Sequence, residues 1–239
     1  MNIHETEHYI FHYLPGTGAE ANISSIADEQ EASYRHIRQM LGLSMTEKIH
    51  YYLYSTPEEL GRECARRFGE YTPYNGCTAS KNEILAVYND EIKCIGSHED
   101  THLFTFTLGF PASSFLEEGV ACAMDALWWG IDNNAWVSHH RRKGVCPSVT
   151  ELITASRDGF YSLDDRITYP LSGSFVSYLL TRFGKDAFFS FYMAQNYEQA
   201  AISILNCSLH ALEQDYFQYI DALQYDKAIS SRITELLTE

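Results

Sequence analysis

The spacing of apolar residues changes along the chain. His8–Leu14 (HYIFHYL) is aromatic and β-branched and runs into Pro15-Gly16, which predicts a strand followed by a turn. Between Ala19 and Leu41, Ile23, Ile26, Ala27, Ala32, Tyr34, Ile37 and Leu41 recur at roughly helical spacing among charged residues, and Gly42 closes the run. Lys48–Tyr54 (KIHYYLY) predicts a second strand. Thr56-Pro57-Glu58-Glu59 then supplies a helix start: a capping oxygen, a proline at the first helical position and acids in the first turn. That helix runs to about Phe68. Gly69–Ala79 is rich in Gly, Pro and Asn and reads as a loop, and Glu83–Tyr88 (EILAVY) reads as a third strand.

After Asp90 the pattern becomes mainly helical. Helices are expected through His98–Phe106, over Phe115–Trp129, briefly over Ser148–Ala155 and over Ser172–Phe183, with two or three more beyond. Gly144, Pro147, Gly159 and Pro170 mark the loops between them. The order implies an α+β fold: a small mixed β-sheet with helices, followed by a mainly helical C-terminal half. We read residues 1–239 as a single domain, with a mixed α/β part over 1–90 and a helical part over 91–239. No repeat or low-complexity linker interrupts it.

Charge narrows the class of partner. Seventeen Lys and Arg against 32 Asp and Glu give a formal net charge of -15. Such a chain repels phosphate backbones and acidic lipid surfaces, so neither nucleic acid nor membrane is an expected partner. Arg141-Arg142-Lys143, preceded by His139-His140, reads as a solvated surface loop, since three cations are too few for a nucleic-acid footprint. The start is polar and acidic, and no apolar run approaches the length of a membrane span. The six cysteines are scattered with no CxxC pair, which reads as thiols in a reducing compartment and a cytoplasmic protein.

Candidate chemistry is concentrated in Ser97-His98-Glu99-Asp100-Thr101-His102, an unaltered HExxH. On a helix, residues four apart share a face, so both imidazoles can address one ion while Glu99 stands beside a water on it. Zn2+ accepts imidazole nitrogen and carboxylate oxygen, and a third protein ligand leaves one position open for chemistry. Phe115-Leu116-Glu117-Glu118-Gly119 offers two acids for that role after a turn, and spacing does not choose between Glu117 and Glu118. The competing reading makes Ser97 and Asp100 a capping box and leaves the histidines on a polar helix face.

The segment from His98 to Asp125 resembles the gluzincin branch of zinc metallopeptidases, the thermolysin-like and aminopeptidase-like group. There HExxH is followed by a helix with a pattern close to W-L-x-E-G-x-A-x-x-x-[E/D]. Phe115-Leu116-Glu117-Glu118-Gly119-Val120-Ala121 matches it, with Phe115 at the common Trp position. The resemblance implies a zincin-like fold holding one Zn2+ through His98, His102 and Glu118. It also implies peptide-bond hydrolysis by metal-activated water, with Glu99 as general base and Asp125 as a supporting acid behind the ligands. Tyr169-Pro170-Leu171-Ser172-Gly173-Ser174-Phe175 resembles a second segment of these proteins, which implies Tyr169 as the hydrogen-bond donor to the oxyanion. Gly76, Cys77, Thr78 and Ala79 lie where such folds place the edge strand that pairs with substrate backbone. The expected partner is a peptide or protein substrate. The rival is a scaffold without peptidase activity, kept for binding a partner. Trp128-Trp129, at the end of the ligand helix, reads as core or as a wall of a cleft.

Overall fold

The computed structural model describes residues 1–238 and divides the chain into two compact units, one over Met1–Leu108 and one from Gly109 onward. The architecture is α+β, with a small mixed sheet and helices in the N-terminal part and a mainly helical C-terminal part.

The first unit contains β1 (Asn2–Glu5), β2 (Tyr9–Tyr13), α1 (Gly18–Leu41), β3 (Ile49–Tyr54), α2 (Pro57–Phe68), β4 (Gly76–Ser80), β5 (Glu83–Val87) and α3 (His98–Phe106). The strands order as β1-β2-β3-β5-β4. The inner three run parallel, and β1 and β4 are antiparallel edges. Successive side chains of a strand leave on opposite faces, and both faces here are apolar. Tyr9, Phe11 and Tyr51 pack with Tyr34 of α1 and Phe104 of α3 on one side. Tyr52, Tyr54, Leu85 and Val87 pack with Leu60 and Cys64 of α2 on the other. Thr17 and Thr56 cap α1 and α2 by accepting from the backbone N–H groups of Glu20 and Glu59. Gly42 ends α1 at φ 72°, a left-handed conformation costly for a residue with a Cβ. The sequence omits β1, and the 69–79 segment is only partly a loop. Its last four residues are strand, because pairing with β5 outweighs the low strand propensity of a Gly-Cys-Thr-Ala run.

The second unit contains α4 (Ser114–Asp125), β6 (Leu127–Trp128), β7 (Ile131–Asp132), α5 (Asn133–Lys143), α6 (Val149–Thr154), α7 (Arg157–Tyr161), α8 (Asp165–Tyr192), α9 (Tyr197–Ala200), α10 (Leu209–Ala222) and α11 (Lys227–Leu236). A π-helical turn, Ala201–Leu205, continues α9, and Gly184 breaks α8 with φ 79° and ψ 166°. At the α4–α8 contact, a Cβ added to Gly119 would lie 2.9 Å from the Ser172 carbonyl oxygen, and one added to Gly173 would lie 2.7 Å from Cys122 Cβ. Small residues therefore let these two backbones approach.

Three expectations are corrected here. The ligand helix stops at Asp125, because Ala126 adopts φ 61° and the chain turns into the β6–β7 hairpin with Trp129 and Gly130 at its tip. His139, His140 and Arg141–Lys143 belong to α5 rather than to a surface loop, and both imidazoles are buried. His139 Nδ1 meets Ser230 Oγ at 2.9 Å. Arg141 pairs with Asp221 and lies over the Phe217 ring. Pro170 lies inside α8 and Gly159 inside α7 instead of marking loops. Proline has no N–H to give the carbonyl four residues back, here Arg166. His140 Nε2 donates to that Arg166 oxygen at 3.1 Å, so the helix passes the proline without stranding a carbonyl. Burial, the largest influence, lowers the His140 pKa and keeps the ring neutral.

Candidate metal centre

His98 and His102 open α3, one turn apart on one face, with ring centroids 5.1 Å apart. His102 is buried and stacks on Phe106. The start of this helix is not held by the capping box that Ser97 and Asp100 resemble, since Ser97 makes no side-chain capping bond. Asp100 instead turns inward and is fully buried. Its Oδ2 accepts from the Tyr9 hydroxyl of β2 and, at 3.1 Å, from Gln30 Nε2 of α1. Gln30 also grips Gly96, two residues before the helix, accepting from its N–H and donating to its carbonyl. Burial, and then the neighbouring Asp100 carboxylate, push the Tyr9 phenol well above its ordinary range, so it stays a donor. Thus the third residue of HExxH is the anchor that ties the histidine helix to the sheet. Neither Tyr9 nor Gln30 was flagged by the sequence, and no local signal marks them: they lie 91 and 70 residues from Asp100.

Glu99 is half-buried and lies against β4. A Cβ on Gly76 would collide with Cys94 Sγ and come within 3.2 Å of Glu99 Oε1, so the absence of a side chain there makes room for the Glu99 carboxylate. Gly76, Cys77, Thr78 and Ala79 all lie in β4, which is hydrogen-bonded to β5 and forms an edge of the sheet. Burial first, then the nearby Cys64 and Glu99, raise the Cys77 pKa and keep its thiol protonated.

Glu118 is buried on α4, whose start Ser113 caps by accepting from the Leu116 N–H. Its Oε1 accepts from the Tyr161 hydroxyl at 2.7 Å. The adjacent Glu117 has a different fate. Its Oε2 accepts from Arg157 Nη1 at 3.1 Å, which commits it to an ion pair. Of the two acids, Glu118 is the one whose carboxylate oxygen comes within 4.8 Å of the histidine nitrogens. Tyr169 lies in the second turn of α8, packed on Trp128 and Phe160. Burial, followed by the charges of Glu118 and Tyr161, raises its pKa and holds it as a phenol. Burial and Glu118 act likewise on Tyr161, which the sequence reading missed. Asp125 ends α4 two turns after Glu118, on the same face, and is exposed.

A ring nitrogen of His98, a ring nitrogen of His102 and a carboxylate oxygen of Glu118 all lie within 4.8 Å of one another. Donors around one tetrahedral Zn2+ stand roughly 3.4 Å apart, from bonds of about 2.0–2.1 Å. Two imidazoles with one carboxylate are a donor set that zinc accepts with a position left open. The arrangement is that of an HExxH…E metal site suited to one divalent ion. No protein family and no curated protein matches the chain in sequence. Among the described residues, no helix is long and apolar enough to cross a membrane.

Proposed function

We propose that this protein is a zinc-dependent peptidase of the gluzincin type, with His98, His102 and Glu118 as the ligands of one Zn2+. The observation that carries the reading is the convergence of exactly those donor types, within 4.8 Å, from residues that HExxH and the following Glu-Gly pair single out. A bound zinc ion supplies Lewis acidity, polarising a carbonyl and acidifying water. Glu99 follows the first ligand directly and takes the proton from the attacking water, then returns it to the leaving amine. Edge strand β4 lies beside that carboxylate. Its outward backbone groups bind an extended peptide by main-chain hydrogen bonds and present the scissile bond to Glu99. Tyr169, kept protonated by burial and by Glu118, donates to the oxyanion of the tetrahedral intermediate. Asp125, on the same face of α4 as Glu118, supports the ligand set.

The test combines metal content with turnover. Protein purified without chelator carries one equivalent of zinc, and the His102→Ala variant does not. The Glu99→Gln variant keeps the zinc and cleaves a peptide library about 100- to 10,000-fold more slowly, the usual contribution of a general base. Wild-type protein that takes up no zinc, or a Glu99→Gln variant as active as wild type, overturns the reading.

A further inference from the structure

α7 is only five residues long, yet its two ends engage both consecutive glutamates of α4. At its start, Arg157 pairs with Glu117 at 3.1 Å. At its end, the Tyr161 hydroxyl donates to Glu118 Oε1 at 2.7 Å. The two side chains also brace each other: the Arg157 guanidinium lies over the Tyr161 ring, 5.1 Å from its centroid, and Phe160 packs edge-on against that ring at 5.2 Å. Ser156 fixes the entry to this turn by accepting from the Gly159 N–H at 3.1 Å. Tyr161 is 40 % exposed, more than a ring placed for core packing. Its polar end nevertheless reaches a carboxylate that is only 7 % exposed. The contact is therefore made by the hydroxyl rather than by the burial of the ring.

We infer that Tyr161, braced by Arg157, is a positioning residue that fixes the rotation of the Glu118 carboxylate for metal ligation. This deepens the zinc-site reading and rests on it. A glutamate has three soft torsions, and a carboxylate that rotates freely must be ordered each time it ligates. A phenol held by a cation and a second ring removes that rotation in advance. A hydrogen-bonding partner behind a ligating carboxylate orients it, and its loss typically weakens metal binding about 10- to 100-fold. Arg157 separates the two acids by claiming Glu117, so a single carboxylate is presented for ligation.

The experiment measures Zn2+ affinity by competition with a chromogenic chelator, for wild type, Tyr161→Phe, Arg157→Met and a control, Tyr219→Phe. Tyr219 is also 40 % exposed and lies on α10. Tyr161→Phe is expected to weaken zinc binding about 10- to 100-fold, while the metal-free protein keeps a single cooperative urea transition. Arg157→Met shows a smaller loss of the same sign, and Tyr219→Phe shows none. A Tyr161→Phe variant that binds zinc as tightly as wild type overturns the assignment even if its turnover falls, since the hydroxyl would then serve substrate rather than Glu118. Loss of the cooperative urea transition in the metal-free variant overturns it too, by assigning Tyr161 a structural role. Wild-type protein that binds no zinc sinks the zinc-site reading and this inference together, which distinguishes that failure from the other two.

Discussion

The glycine after the candidate ligand can be tested without any assumption about activity. In Gly119→Ala, the new methyl would lie 2.7 Å from Val176 Cγ2 and 2.9 Å from the Ser172 carbonyl oxygen. Ordinary carbon contacts begin near 3.5 Å, so α8 must retreat by roughly 0.5 Å or more. Valine can rotate, but the carbonyl belongs to the helix backbone and cannot. Overpacking of this kind costs about 1–3 kcal/mol. Alanine recovers up to about 1 kcal/mol through its better helix propensity. The backbone clash places the net loss near the upper end, at about 2 kcal/mol. With a urea slope of about 2 kcal/mol/M, the midpoint falls by roughly 1 M. The assay is well matched, because all three tryptophans, Trp128, Trp129 and Trp136, lie in the second unit with Gly119. Tryptophan fluorescence therefore follows the unfolding of that unit. Gly18→Ala is the control, since nothing lies within 4 Å of its added Cβ, and it should leave the fluorescence midpoint in place. A Gly119→Ala midpoint equal to or above wild type refutes the close α4–α8 approach on which the placement of Glu118 depends.

Three further perturbations probe the rest of the machinery. Tyr9→Phe removes a donor from the fully buried Asp100 and should cost about 1–3 kcal/mol, read by circular dichroism in urea; a double-mutant cycle with Asp100→Asn that proves additive would rule out the anchor. Gly76→Ala places a methyl against Cys94 Sγ and near Glu99 Oε1, so zinc content should persist while kcat drops by about 100-fold, the scale of a 1 Å misplacement; unchanged kcat counts against a role for Glu99 as positioned here. The Arg66 hydrogen bond, joined by Arg67, lowers the Glu63 pKa from 4.5 to about 2. Because the folded pKa is depressed, this stabilisation is present above pH 4.5 and is lost as pH falls toward about 2. Glu63→Gln should therefore flatten the stability profile between those limits, and an acid limb as steep as that of wild type contradicts it.

Much of the fold and part of the site are written in local sequence. The periods of α1 and β3, and the Thr-Pro-Glu-Glu start of α2, depend on residues within a few positions of one another, and the chain forms these elements where its pattern places them. The histidine pair is local in the same sense: four residues on a helix fix a shared face, whatever else the chain does. The choice between Glu117 and Glu118 is of another kind. Their surroundings in sequence are nearly identical, and their fates diverge because Arg157 and Tyr161, some 40 residues on, reach one acid each.

Other outcomes were likewise set by partners distant in the chain. Asp100 looked like a capping acid and became a buried anchor because Tyr9 and Gln30 supply donors that water would otherwise provide. Gly76–Ser80 has weak strand propensity and is a strand because β5 offers it a hydrogen-bonded edge. Pro170 should end a helix, and His140 should avoid the interior. Each is tolerated because the carbonyl that proline leaves unpaired is the acceptor the buried imidazole needs. Sequence alone determined elements such as α1, β3 and α2 and the spacing of the first two candidate ligands, since those follow from backbone geometry over a turn or two. Only the tertiary structure decided which polar groups satisfy one another, because that depends on which distant segments share a dry interior.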